Sequence, residues 1–505
     1  MRSTPVGFVM MNDGRSHVNE LNEDENQAVL HRWADALSRR LQNIDGSSAE
    51  IVVAERTITS VRVAQEVGEN LRRRGVRSLV LCFNVWNFPY LVWPLVQTVG
   101  RDVPLLSLSN NNGAYPGNVG LLATDGALRQ AGVRTHRIVG DLDDEETQGA
   151  VADWVRAAQA LTTIRGEVYG LYGGHSMGME TGFFHLVPTL KALGTTAYHL
   201  DQLLVVEQMN DVDAKSVRRG REWLESLLGP RLLYDGDRLT PETLETQLRL
   251  YLAIRELNEE NGFDYCGIKG QRELSEHVCI PDVAEMLLND LYDWDGPKES
   301  TVCATEADAF AALTMQLLKY ASGGLPSLFM DVRVYHADQD VWDLVNSGQH
   351  ASWYATRSDD ATANFEQIHL HPALPLYFRA GGASVEFDAA PGPLTFARLG
   401  LWDDRPFLVL VSGEVVDLPA AERKRLNAQT NPTWPHVHAR LDCSFDEFLR
   451  VFPSNHILAT AGNRIRSLAQ LAEMAGIPVV RLGEDSSPRA LWERLEEGSR
   501  PDDLR

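Results

Sequence analysis

The sequence predicts an α/β chain. Two Rossmann-like parallel-sheet α/β domains, residues 1–165 and 166–345, precede a C-terminal β-rich domain, residues 346–505, antiparallel and barrel-like. Three observations carry that prediction. Short apolar runs alternate with helix-period segments as far as Met330, the rhythm of strand, crossover helix and parallel strand. Polar or glycine-rich loops follow the strands, where open α/β sheets place ligands. Beyond Ser347 the pattern becomes one of alternation, broken by turns such as Ala390-Pro391-Gly392-Pro393.

Residues 5–11 read as the first strand and Asp13-Gly14-Arg15 as its exit. Residues 24–42 carry Val29, Leu30, Trp33, Leu37 and Leu41 at helical spacing. Strands follow at 51–54, 78–83 and 103–108, with a polar-faced helix over 61–74. Their loops, Asn84-Val85-Trp86-Asn87 and Asn110-Asn111-Asn112-Gly113, place Arg15, Trp86 and Asn110 on one rim. The second unit opens with a strand at 168–172 and the loop Gly173-Gly174-His175-Ser176-Met177-Gly178-Met179. These glycines mark a tight turn or a close backbone approach, and their spacing is not that of a dinucleotide fingerprint. Residues 198–206 and 264–269 read as strands, and 211–228 and 240–260 as helices. An apolar helix over 309–318 returns through a strand at 326–330, which completes this unit. Residues 384–387, 394–399 and 407–411 are alternating strands, 446–450 a short helix, and 465–481 a last helix and strand.

Composition narrows the function. Hydrophobic residues make up 44% of the chain and charged ones 23%, as in soluble globular proteins. A net charge of -23 argues against nucleic acid and against an anionic membrane surface as partner. Cys82, Cys266, Cys279, Cys303 and Cys443 are odd in number, widely spaced and free of C-x-x-C, which fits reduced thiols and a cytoplasmic setting. The first residues reach Asn12, Asp13 and Arg15 too early for a signal peptide, and no apolar run has membrane-spanning length.

The chemistry concentrates between Cys303 and Ser347. Glu306 stands before an apolar helix and Asp331 at the end of the returning strand. A carboxylate beside a buried strand is costly unless it is paired or bound to a cation. The expectation is that Glu306 and Asp331 share a divalent metal with His456. Two carboxylates and one imidazole suit Mn²⁺ or Mg²⁺ better than zinc. Such an ion leaves positions for two adjacent sugar oxygens, and a carboxylate beside C1 and C2 then moves a proton between them. Taken singly, Glu306 also suits a helix-dipole partner, Asp331 an ion pair with Arg333, and Trp86 and Trp434 simple packing.

The blocks DGR at 13–15, HSMGM at 175–179, GQRE from Gly270, ATEAD at 304–308, DVRVY at 331–335, VNSG at 345–348, NPTWP at 431–435 and SNH at 454–456 occur in one order along the chain. In these blocks the sequence resembles the L-fucose isomerase family and, more distantly, L-arabinose isomerase. The resemblance implies a metal-dependent aldose–ketose isomerase acting through a cis-enediol on a free sugar such as L-fucose or D-arabinose. It also implies a homo-oligomer, hexamer or trimer, loaded with Mn²⁺, with Mg²⁺ or Co²⁺ as substitutes. Glu306, Asp331 and His456 become metal ligands, the first two also the acid–base pair. Arg15, Trp86, Met177, Gln271, Ser347, Trp434 and Asn455 fall where that family contacts substrate. The chain is shorter than its relatives and carries Glu414 where an aromatic residue is usual. His336 and His350 are open as fourth ligands. The competing readings are a non-catalytic sugar-binding or regulatory protein, and a metal-dependent sugar epimerase or dehydratase.

Overall fold

The computed structural model describes residues 4–111, 115–347 and 350–484. Asn112, Gly113 and Gly348 of the loops above, and the tail beyond Glu484, lie outside the described residues. Two compact units are present: Met1–Thr163 with Arg466–Gly476, and Ile164–Ile465 with Ile477–Arg505.

The first unit is a parallel sheet of β1 (Val6–Met11), β2 (Ile51–Val53), β3 (Ser78–Phe83), β4 (Leu105–Ser109) and β5 (His136–Val139), in the order β2-β1-β3-β4-β5. Side chains alternate faces along each strand. Val9, Met11, Leu79, Leu81 and Phe83 therefore join the apolar layer shared with helices Val61–Arg73 and Val92–Val99. Val6, Phe8, Met10, Val80 and Cys82 face the layer of helices Ser16–Ser38 and Glu145–Ile164. This is a doubly wound sheet whose order reverses between β1 and β3. The polar loops meet there: Asn110 Nδ2 donates to Asn84 Oδ1 at 2.6 Å, and Asn84 Nδ2 donates to Asn26 Oδ1 at 2.9 Å.

The second unit contains a parallel sheet of β6 (Val168–Tyr172), β7 (Thr196–Leu200), β8 (Tyr265–Ile268) and, after the hairpin β9 (Tyr292–Asp293) and β10 (Gly296–Pro297), β11 (Cys303–Ala304). Its order is β11-β8-β6-β7. The strand expected over 198–206 stops at Leu200, because the Asp201 carboxylate accepts from Leu203 N at 2.9 Å and caps the helix Gln202–Asp211.

Further strands are β12 (Leu328–His336), β13 (Val341–Val345), the separate hairpin β14 (His369–Pro372) and β15 (Ala383–Glu386), β16 (Gly392–Trp402), β17 (Arg405–Val415), β18 (His436–Leu441), β19 (His456–Ala461) and β20 (Val479–Arg481). Seven of them form a mixed sheet, β16-β19-β12-β13-β18-β17-β20, in which β17 pairs again with β16 and only β20 is parallel to its neighbour. The strand expected to complete the second parallel sheet is β12 of this mixed sheet instead. Its nine residues pair antiparallel on both sides, with Asp331 opposite His456 on β19 and Val345 on β13.

Helix Ala309–Ser322 is buried along its whole length. It packs on β8 on one hand and on β16 and β19 on the other. That double contact explains an apolar sequence with no polar face. The turn before it lies close against β8. A Cβ on Gly267 would sit 2.1 Å from the Tyr169 hydroxyl, 3.1 Å from Ala307 Cα and 3.2 Å from Ala304 O. Gly267→Ala is therefore expected to destabilise by about 1–3 kcal/mol, the range for overpacking. It should also disturb the turn that holds Glu306. The melting temperature, read against that of a surface Gly→Ala control, checks this.

Candidate active site

Glu306 occupies the single turn between β11 and the buried helix. Its φ is 56° and that of Ala307 is 53°, the left-handed region that non-glycine residues seldom adopt. Two such residues in succession turn the chain sharply enough to put Glu306 and Asp308 to different uses. Asp308 caps the helix, its Oδ1 accepting from Ala311 N at 2.8 Å. Its Oδ2 accepts from Arg398 Nη1 at 2.9 Å and lies 2.7 Å from His456 Nδ1. Arg398 donates again to Asp308 Oδ1 and to Thr181 O, at 3.2 and 2.7 Å. Asp308, Arg398 and His456 are all buried.

With Nδ1 fixed by Asp308, Nε2 of His456 points at the other two carboxylates. It lies 3.4 Å from Glu306 Oε2 and 3.2 Å from Asp331 Oδ1. The Asp331–His456 register across β12 and β19 makes this approach possible. Burial alone would lower the His456 pKa, but the carboxylates of Asp308, Asp331 and Glu306 outweigh it and hold the ring well above its usual value. Burial likewise works to raise Asp308, yet Arg398 and His456 bring it down to about 2. Asp331 also stays below the ordinary range against its burial, through His456, Arg333 and Asn346. Arg333 Nη2 donates to Asp331 Oδ2 at 3.1 Å, and its guanidinium lies 4.8 Å from the centre of the Trp434 ring. The ion pair and the convergence on His456 thus coexist at Asp331.

These groups open on a cavity of about 300 Å³, at the small end of ligand sites. Of the residues anticipated from sequence, Glu306, Asp331, Met177, Gln271, Ser347 and Trp434 line it. Asn455 is adjacent in chain to His456; its carbonyl accepts from Val332 N at 2.9 Å, and it is not a lining residue. Arg15 and Trp86 belong to the first unit, where Arg15 forks onto Asp13 at 2.6 and 2.9 Å. Glu414 is exposed on β17, 3.5 Å from Arg440, and is not among the lining residues. His350 is buried, with Nε2 on Phe329 O, and burial lowers its pKa to about 4.

Sequence reasoning missed several contributors. Asn346 Nδ2 donates to Asp331 Oδ1 at 3.1 Å. Tyr377 and Phe378 stand 5.7 and 6.2 Å from Trp434, ring centre to ring centre, and complete an aromatic wall. Asp282 is buried at the cavity's edge, with Ser347 Oγ 3.4 Å from its Oδ1. Burial and then Glu285 raise its pKa well above normal. A second cluster, Asp343, His436 and His438, brings one ligand atom from each residue within 4.8 Å of the others and lines no part of this cavity.

Asp308→Asn keeps the cap and the shape but leaves Arg398 buried without its counter-charge. The expected loss is about 3–5 kcal/mol, the range for breaking a buried pair. The acid limb of stability changes with it. With a folded pKa near 2, below the unfolded carboxylate value, Asp308 stabilises fully above that unfolded value. The contribution disappears as pH falls toward 2. The variant should lose this part of the acid dependence, measured by denaturant titration across pH.

Comparison with known proteins agrees with this architecture. Residues 3–166 match the first N-terminal domain of L-fucose isomerase, 252–323 its second N-terminal domain, and 344–483 its C-terminal domain. The L-fucose isomerase of Phocaeicola vulgatus is 27% identical, with 94% of this chain and 92% of that protein covered. Those of Bacteroides thetaiotaomicron and Haemophilus influenzae are each 26% identical over the same shares. With matching domains in the same order along nearly the whole length, the chain belongs to the L-fucose isomerase family.

Proposed function

We propose that this isomerase interconverts a free aldose and its ketose in the cavity bounded by Glu306, Asp331 and Trp434, with a divalent cation held by Glu306, Asp331 and His456. The observation that carries the reading is the convergence of both carboxylates on one imidazole nitrogen at the cavity. The donor set fits such an ion: two carboxylates, and an Nε2 whose partner Nδ1–H is already given to Asp308. Mn²⁺ is the expected occupant, with Mg²⁺ or Co²⁺ as substitutes. When bound, the ion supplies a Lewis acid beside the substrate oxygens.

The reaction needs no external oxidant, because aldose and ketose are isomers. One carboxylate of the pair takes the proton from C2 as O1 gains one, giving the cis-enediol. The enediol is reprotonated at C1 while the O2 hydroxyl gives up its proton to leave the ketone. Arg333 and Asn346 keep Asp331 anionic and oriented. Asp282 and Gln271 offer hydrogen bonds to hydroxyls, and Trp434, Tyr377 and Phe378 an apolar face. Among the described residues lining the cavity, Arg333 is the one cation, and it is engaged by Asp331. Besides Asp282, whose pKa burial raises, three acidic side chains line the same cavity: Glu276, Glu306 and Asp331. A phosphate group would be repelled there, which supports a free sugar such as L-fucose or D-arabinose as substrate. The family also supports a homo-oligomer, hexamer or trimer, in the cytoplasm. Helix Leu186–Leu193 exposes Leu186, Val187 and Leu190, a surface suited to a subunit contact. No helix among the described residues is long and apolar enough to cross a membrane.

Glu306→Gln and Asp331→Asn should each lower kcat by at least about 10²-fold, the scale of acid–base catalysis. Both should also weaken Mn²⁺ binding. Near-normal turnover in either variant removes its assigned role. In D₂O, NMR should show deuterium at C1 of the ketose or C2 of the aldose. Complete retention of protium indicates hydride transfer, and an aldose epimer as product indicates epimerisation.

A further inference from the structure

The cluster Asp343, His436 and His438 is fully enclosed and takes no part in the mechanism above. His436 and His438 are two residues apart on β18, so both rings project from one face of the sheet. Asp343 on β13 is directly opposite His438.

The hydrogen bonds around the cluster determine where the ring protons lie. His436 Nε2 is 3.1 Å from the carbonyl oxygen of Asn431, an acceptor only. His438 Nε2 is 2.8 Å from Asn427 Oδ1. The Asn427 amide is fixed in that orientation because its Nδ2 donates to Asp388 Oδ1 at 2.9 Å. Both rings therefore carry a proton on Nε2, and in both neutral rings Nδ1 holds a lone pair. Those two lone pairs face the same carboxylate oxygen. Asp343 Oδ1 is 2.9 Å from His436 Nδ1 and 3.6 Å from His438 Nδ1. Its other oxygen accepts from Thr430 Oγ1 at 3.0 Å. His438 Nδ1 is buried without a hydrogen-bond partner among the described residues.

Two lone pairs and an anion oxygen pointing at one another require positive charge among them. A proton on His436 Nδ1 alone would pair that ring with Asp343 Oδ1 at 2.9 Å but leave the buried His438 Nδ1 lone pair without a partner among the described residues. Protons on both Nδ1 atoms would bury two imidazolium rings, 5.6 Å apart, around one carboxylate. Burial opposes this and pushes the His438 pKa down. A single divalent ion meets the requirement with both rings neutral. Donors about 2.0–2.2 Å from such an ion lie roughly 3–3.6 Å from one another. Each imidazole already gives its remote N–H to a carbonyl oxygen, as metal-bound histidines do.

We infer that Asp343, His436 and His438 form a second, structural cation site, of the Zn²⁺ class, separate from the cavity. Two imidazoles and one carboxylate suit zinc better than the oxygen-rich set in the cavity does. The ion would join β13, β18 and the segment 427–431, which leads into Trp434. The site does not depend on the proposed reaction.

The test is zinc uptake by the full chain, stripped with a chelator, reloaded with Zn²⁺ alone, desalted and read by mass spectrometry of the metal. The wild type should hold one more zinc ion per chain than His438→Gln. The double variant Glu306→Gln/Asp331→Asn, which disables the cavity, should still hold one. Its Co²⁺ form should show the intense visible absorption of a four-coordinate site. Equal zinc content with and without His438, or none in the double variant, overturns the proposal and leaves an ion pair of Asp343 with His436. Should His438→Gln prove insoluble, the double variant decides alone.

Discussion

The second unit depends on a chain of buried charges: Arg398, Asp308 and His456. Each ion taken from water costs several kcal/mol, and close charge-assisted hydrogen bonds are what offset that cost. Asp308 satisfies a guanidinium, an imidazole and a helix N-terminus together. The three residues come from β16, from the start of the buried helix and from β19, so one carboxylate ties the mixed sheet to the parallel sheet's last turn. Removing Asp308 leaves Arg398 and His456 without their shared counter-charge in an apolar interior.

That constraint also shapes the cavity. His456 has two nitrogens, and Asp308 claims one, so the other is presented to Glu306 and Asp331. Sheet register brings Asp331 to His456, while the left-handed turn brings Glu306 to both. The aromatic wall comes from another part of the chain and meets Arg333 over the Trp434 ring. A strand, a turn and a loop thus contribute one acidic group or platform each, and packing of the helix between two sheets keeps them in place.

Much of this was legible in the chain. The unbroken apolar run at 79–83 is a direct record of a strand covered on both faces. The runs at 394–399 and 407–411 lie inside β16 and β17, and the ordered motifs pointed to Glu306, Asp331 and His456. Other features were hidden for physical reasons. Arg398 sits in an alternating strand where a charged residue normally faces water, and only its distant partner Asp308 makes it an interior residue. The strand ending at Asp331 pairs with residues more than a hundred positions away, so local pattern assigned it to the wrong sheet. The run 201–206 is apolar enough for strand or helix, and the Asp201 cap decides. Glu414, which stands where an aromatic residue is usual, is exposed on β17 and 3.5 Å from Arg440, a placement its local sequence does not reveal. The H-x-H spacing at 436–438 was readable as two same-face ligands; its carboxylate partner on β13 was not.

The consecutive left-handed residues at 306 and 307 limit how this enzyme can change. A β-branched side chain at 307 would clash with its own backbone, and glycine would fit but loosen the bend. The route to new sugar preferences therefore runs through the aromatic wall of Tyr377, Phe378 and Trp434. The bend itself is closed to drift, and the reaction type is more deeply fixed than the choice of substrate.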